Sequence, residues 1–228
     1  MTLPGTDTDR PAAPPPAPPA WLPAPLRRWQ AAYARSGPLG KTLRELGLAY
    51  LGYVLLLPLT LLVPELAMSE DNAAGIDSVF QDALGGTNPY LALAGAALLL
   101  TVVVPVTEEL IFRGIPLLLR LGLLRVVPPG WARGLSLGIG LVSAVVFASV
   151  HNLMPGTLPL PQLWLGLLTW HAASTRGLRY SMLLHGLNNA VVVSLFILMM
   201  LVLGPQALQG APAGDVPLPP LPVPAAAH

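Results

Sequence analysis

Charged residues are sparse along this chain and separate long apolar runs, the pattern of helices that cross a membrane rather than of a soluble core. Residues 46–64 are uncharged and rich in Leu. At about 1.5 Å per residue that is enough to cross a hydrocarbon core of roughly 30 Å, and Pro58 within it predicts a bend. Residues 90–107 form a second span, expected to continue as helix through two glutamates to residue 119 as a long or tilted element. Between Arg133 and Arg176 run 42 residues without Asp, Glu, Lys or Arg. That is too many for one span, and the Pro- and Gly-bearing stretch 152–161 divides it into a third span near 135–151 and a fourth near 163–175. A fifth covers 182–203.

The charges between these runs set a topology. Arg27, Arg28, Arg35, Lys41 and Arg44 accompany Leu26, Trp29 and Tyr33 in 26–45, an interfacial stretch where aromatic rings sit at headgroup level and basic groups meet anionic lipid. Arg120, Arg125 and Arg133, and then Arg176 and Arg179, fall on the same side; Glu65, Glu70, Asp71, Asp77 and Asp82 form an acidic loop on the other, with a short helix expected around 76–84. The positive-inside rule therefore puts the N-terminus of this multi-pass membrane protein in the cytoplasm. One tension arises, since His151 is eighteen residues from Arg133 whereas His185 is six from Arg179. Either part of 134–140 lies at the interface or the helices are tilted and broken.

The expected fold is therefore an all-α polytopic membrane protein of about five transmembrane helices around a conical or cleft-like cavity. A cytoplasmic arm and basic interfacial segment form 1–45, the membrane domain 46–204 (motif core 90–200), and a disordered Pro/Ala-rich tail 205–228. Residues 11–20 contain only Pro and Ala, a composition that favours extended polyproline structure and builds no core. The arm reads as a solvated tail, with a proline-binding partner as the alternative. Composition agrees, at 54% apolar and 10% charged, against about 25% charged in an average soluble domain. Cysteine is absent, which removes thiol catalysis and Cys-based zinc sites. A formal net charge of +1, with no recognition motif, gives no argument for nucleic acid.

The candidate chemistry begins at Glu108 and Glu109, two adjacent acids in a chain with only eleven Asp and Glu. Ionisable groups in hydrocarbon are costly and point to function by default. Glu109 and Arg113 are four apart with the acid N-terminal, the favourable order for a pair on one helical face, and they read either as a salt bridge closing a helix end or as support for a site. Pro105, one turn before Glu109, is expected to free a backbone carbonyl and kink the helix. Glu108 has no basic residue at that spacing. It reads as a general base near a cavity or as a protonated, interfacial packing residue. His151 can pack on Phe147, and His185 shares a face with Asn189, with Asn188 beside them. His171 reads as packing, and neither Ser149 nor Ser181 stands at a spacing that recommends a covalent nucleophile. Glu108, His151, His185 and Asn189 could bind zinc as a Glu/His/His set, move protons or ions, or hydrolyse a peptide bond with an activated water.

Glu108-Glu109-x-x-x-Arg113, Phe147-x-x-x-His151 and His185-x-x-x-Asn189, in that order, resemble the three motifs of the CPBP (CAAX protease and bacteriocin-processing, Abi-like) family of intramembrane glutamate endopeptidases, which includes CAAX prenyl protease type 2. Gly114, Arg176-Gly177 and Ser181 ahead of His185 add to the likeness. The resemblance implies an endopeptidase in which Glu108 and His151 activate water, His185 and Asn189 stabilise the oxyanion, and Glu109 and Arg113 support the site. Its implied substrate is a membrane-associated peptide or protein that reaches the cavity from the lipid bilayer or the cytoplasm, and its implied setting is the bacterial cytoplasmic membrane. The family carries a metalloprotease label, yet this mechanism requires no cofactor; a divalent metal such as zinc is the chemically permitted alternative. The competing readings are an ion-coupled transporter and a non-catalytic immunity or scaffold protein.

Overall fold

The computed structural model describes residues 19, 21–67, 78, 88–152 and 157–203. Most of the Pro/Ala arm, most of the acidic loop with its expected short helix, Pro155-Gly156 and the tail 205–228 lie outside these residues. All regular structure among the described residues is helical. Helix α1 is Ala24–Arg35 and α2 is Pro38–Leu62. A long interrupted helix, α3, covers 89–123. Then follow α4, Ala132–Val150, α5, Leu160–Arg176, and α6, Leu178–Leu203.

Four of these elements are long and apolar enough to cross a bilayer: α2, α3, α4 with the turn that precedes it, and α6. Large apolar side chains such as Leu55, Leu61, Leu118, Leu141 and Leu195 stand exposed along them, as a lipid-facing surface requires. The protein is thus an all-α polytopic membrane protein. The run expected as a fourth span becomes α5, and its 17 residues extend only about 25 Å. What distinguishes α5 is its position. Leu165, Gly166, Leu168, Thr169, Trp170, Ala172 and Ala173 are all buried, so α5 is the central post around which α2, α4 and α6 pack.

Two tryptophans of α5 show how that packing works. The Trp164 indole lies across Gly52 of α2 and donates Nε1–H to the Leu48 carbonyl at 3.1 Å. Trp170 lies across Gly140 of α4 and donates to the Ser136 carbonyl, also at 3.1 Å. A glycine lets a ring sit against backbone where any Cβ would intrude; one added at Gly140 would be 2.1 Å from Trp170 Nε1. Gly140→Ala is therefore expected to cost about 1–3 kcal/mol, read as a lower unfolding midpoint in detergent. Gly138→Ala, whose added Cβ meets nothing within 4 Å, should leave the midpoint in place.

Helix α3 is broken twice. Its turns Leu99–Val103 and Leu110–Gly114 are wider, π-helical turns, and Pro105 and Pro116 follow them. In the first, Val104 N–H reaches back to the Leu99 carbonyl, and the next residue, Pro105, has no N–H. The Leu100 carbonyl is left without a helical donor. In the second, the Phe112 carbonyl would take its α-helical bond from residue 116, which is proline. Both freed carbonyls are capped from other helices: Leu100 by Asn189 Nδ2 of α6 at 3.0 Å, and Phe112 by Ser143 Oγ of α4, together with Arg113 Nη1 at 3.0 Å. The carbonyl that Pro105 was expected to free becomes a fastening point between α3 and α6. Gly186 of α6 faces the same turn, where an added Cβ would lie 2.8 Å from the Thr101 carbonyl oxygen.

Candidate active site

Glu108 and Glu109 lie between the two wide turns of α3. Adjacent residues on a helix diverge by about 100°, and the two carboxylates indeed have different surroundings. Glu109 is fully buried, as is Arg113 one turn on. Arg113 Nε is 3.6 Å from Glu109 Oε2 and donates to Thr169 Oγ1 of α5 at 2.9 Å. Its Nη1 donates to Ser143 Oγ at 3.0 Å, and its guanidinium lies 4.8 Å from the centre of the Phe147 ring. The pair expected from sequence is therefore a buried hub joining α3, α4 and α5 rather than the closure of a helix end. Gly166 provides the room: a Cβ there would be 3.1 Å from Ala144 Cβ and 3.3 Å from Arg113 Nη2.

Glu109 also receives α6. Ser181 Oγ donates to its Oε2 at 2.6 Å and His185 Nδ1 to its Oε1 at 3.1 Å. Ser181 and His185 are one helical turn apart, so they hold the same carboxylate from one face. With Nδ1 engaged, His185 turns Nε2 towards Glu108 Oε2, 3.6 Å away. His151 approaches from the end of α4. Its Nδ1 donates to the Phe147 carbonyl at 2.7 Å, which fixes the neutral tautomer because a carbonyl can only accept. Its Nε2 is 3.9 Å from the same Glu108 oxygen. Phe147 packs beside both rings, at centroid distances of 4.5 Å to His151 and 5.5 Å to His185.

The two histidines that counting placed at different depths therefore meet at one carboxylate, and the helix carrying that carboxylate is a broken one. Glu108 Oε2 is buried and has no hydrogen-bond partner among the described residues. With Nδ1 donating in each ring, neutral His151 and His185 present lone pairs to it. Three acceptors facing one small space call for a shared proton or a donor between them.

Asn189 is placed differently. It shares a face with His185, but its amide nitrogen donates to the freed Leu100 carbonyl, and its Oδ1 lies 3.5 Å from Asn188 Nδ2. Asn188 is fixed in turn by the Tyr53 hydroxyl of α2, which donates to its Oδ1 at 3.0 Å. One Asn189 N–H remains for another acceptor. Asn189→Ala should leave the Leu100 carbonyl unpaired at a cost of about 1–3 kcal/mol, measurable as a drop in thermal midpoint independent of any turnover.

Two apolar clefts flank these groups. One of about 610 Å³ lies between α3 and α4 and is lined by Phe112, Ile115, Leu119, Ile139 and Val142 among others. A second of about 370 Å³ lies between α3 and α6, lined by Thr101, Val106, Met182 and Gly186 among others. Among the described residues no three His, Asp or Glu side chains are grouped so as to hold a metal ion. His171, expected to pack, is instead half-exposed at 52% and sits 3.8 Å from Glu45 of α2. Sequence reasoning passes over Thr169 and Ser143 because each is an ordinary small polar residue in an apolar helix; it sets Ser181 one turn before His185 as part of the family likeness but does not pair it with Glu109.

Fold and site together define a polytopic helical membrane protein with a carboxylate and two imidazoles gathered inside its helix bundle. Residues 90–191 match the family model described as Rce1-like, Type II CAAX prenyl endopeptidase Rce1-like, so the motif core is similar to that of CAAX protease-like membrane proteases. No curated protein and no solved structure matches the chain.

Proposed function

We propose that the chain is an intramembrane endopeptidase that hydrolyses a peptide bond in a membrane-associated peptide or protein with water activated by Glu108 and His151. The observation that carries this reading is the unpartnered Glu108 oxygen facing the Nε2 atoms of two histidines whose Nδ1 atoms are both held. A water in that space would donate one hydrogen to Glu108 and the other to His151, leaving a lone pair for the scissile carbonyl. As the carbon–oxygen bond forms, Glu108 takes the water's proton, and the developing oxyanion accepts from the remaining Asn189 N–H and from a His185 ring that holds a proton on Nε2 from the start of the cycle and keeps it throughout. Glu108 then returns the proton to the amine nitrogen as the carbon–nitrogen bond breaks, giving an acid and an amine. Glu109, gripped by Arg113 and Ser181, keeps His185 turned to the site. Each step runs through these side chains and water, and no metal is required.

The matching family's description names a CAAX prenyl endopeptidase, which supports prenylated CAAX-type C-termini as one substrate class in this reading, and the apolar clefts beside the site are compatible with a lipidated or hydrophobic segment. In this reading the N-terminus and the basic turns face the cytoplasm. The test is a comparison of new protein termini in membranes carrying wild-type or Glu108→Gln protein. Termini that appear only with wild type identify the substrate, whereas identical sets would overturn the assignment.

A further inference from the structure

Outside the site, polar side chains gather at the corner where α1, α2, α5 and α6 meet. Glu45 is buried on α2 and is ion-paired by Arg176 at the end of α5, Nη1 to Oε1 at 2.7 Å and Nη2 to Oε2. Tyr33 of α1 completes the cluster. Its hydroxyl donates to Glu45 Oε1 at 2.7 Å, accepts from Arg176 Nη1 at 3.0 Å and lies 3.3 Å from His171 Nε2. Burial, reinforced by the Glu45 carboxylate, pushes the Tyr33 hydroxyl up to about 12, so it stays a proton donor throughout the ordinary pH range.

Tyr33 is half-buried, and no residue of α1 is fully buried. Trp29 stacks on Tyr33 at 5.3 Å, and Lys41 lies 5.6 Å from the centre of the Tyr33 ring. The exposed Arg28 and Arg35 fall within about 20° of each other on the helix and roughly 140–160° from Tyr33. No acidic residue occurs in α1. Two residues beyond its end, α2 begins its path across the membrane, so this basic face stands at the bilayer boundary.

We propose that α1 is a docking arm for anionic phospholipid headgroups: the Arg28–Arg35 face binds the leaflet at which α2 begins, and Tyr33 on the opposite face transmits that docking through Glu45 and Arg176 to the start of α6. The geometry past Arg176 suits such transmission. Gly177, at φ +103°, is the single residue between α5 and α6, and Ser181, which holds Glu109, lies in the first turn of α6. Headgroup charge at the surface thereby acts on the seat of the Glu109–His185 pair. Attraction to an anionic surface amounts to about fivefold in binding per arginine and is weakened by salt.

The test uses the full chain in lipid nanodiscs, followed by amide hydrogen exchange. Phosphatidylglycerol in the discs is expected to slow exchange across 24–35 severalfold relative to phosphatidylcholine alone, with 176–182 slowed in step. Raised salt and the R28Q/R35Q double variant should abolish both effects, and Tyr33→Phe should retain the first while losing the second. Equal exchange of 24–35 in the two lipids, or an unchanged response in R28Q/R35Q, overturns the docking. Protection of 24–35 with 176–182 unmoved in wild type overturns the transmission. These readouts are independent of peptidase turnover, so the proposed hydrolytic function can fail without deciding them.

Discussion

Replacing Glu108 by glutamine is expected to lower turnover of an identified substrate by about 10²–10⁴-fold, the range of a general base. Glutamine keeps the volume and one oxygen of the side chain but cannot take a proton from water. The partly exposed Glu108 side chain, at 25%, makes no hydrogen bond among the described residues that holds the bundle together, so the variant should insert and melt as wild type does. Single-turnover assays in nanodiscs beside a detergent melting curve separate the two effects. A variant that retains wild-type turnover would show that Glu108 is a packing residue after all.

Arg113→Met is expected to act through stability, by about 3–5 kcal/mol. Removing the guanidinium leaves the fully buried Glu109 without its cation and takes hydrogen bonds from Thr169, Ser143 and the Phe112 carbonyl at once. An uncompensated buried charge is more damaging than the loss of a pair. The double variant R113M/E109L should therefore regain part of the lost midpoint while remaining inactive, because Ser181 and His185 would still have lost the carboxylate that both hold. Equal midpoints for wild type and Arg113→Met would contradict the buried-hub account.

The contrast between these residues shows what a sequence can disclose here. Spacings of four along one helix were readable, and Glu109–Arg113 and Phe147–His151 are indeed neighbours. The apolar runs located the long helices, although α2 begins well before the expected span and takes in Lys41 and Glu45. Contacts between distant segments left no periodic trace. Glu45 and Arg176 are 131 positions apart, and Glu45 sat unremarked in a stretch read for its basic residues. Asn189 was readable as a partner of His185 by face, but its bond to Leu100 depends on a wide turn followed by proline, a backbone event that periodicity does not encode. The count of spans diverged at α5 because a helix sheathed by its neighbours needs fewer apolar residues than one facing lipid.

That sheathing has a consequence for biogenesis. Read alone by the insertion machinery, α5 is short and carries Gln162, Thr169, His171, Ser174 and Thr175, a poor candidate for partitioning into hydrocarbon by itself. Its polar backbone contacts and both tryptophan seats are supplied by α2 and α4, and one residue joins it to α6. It is therefore expected to settle into the bilayer only in company: a truncated chain ending at residue 176 should leave α5 open to labelling from water, and a chain extended through α6 should protect it.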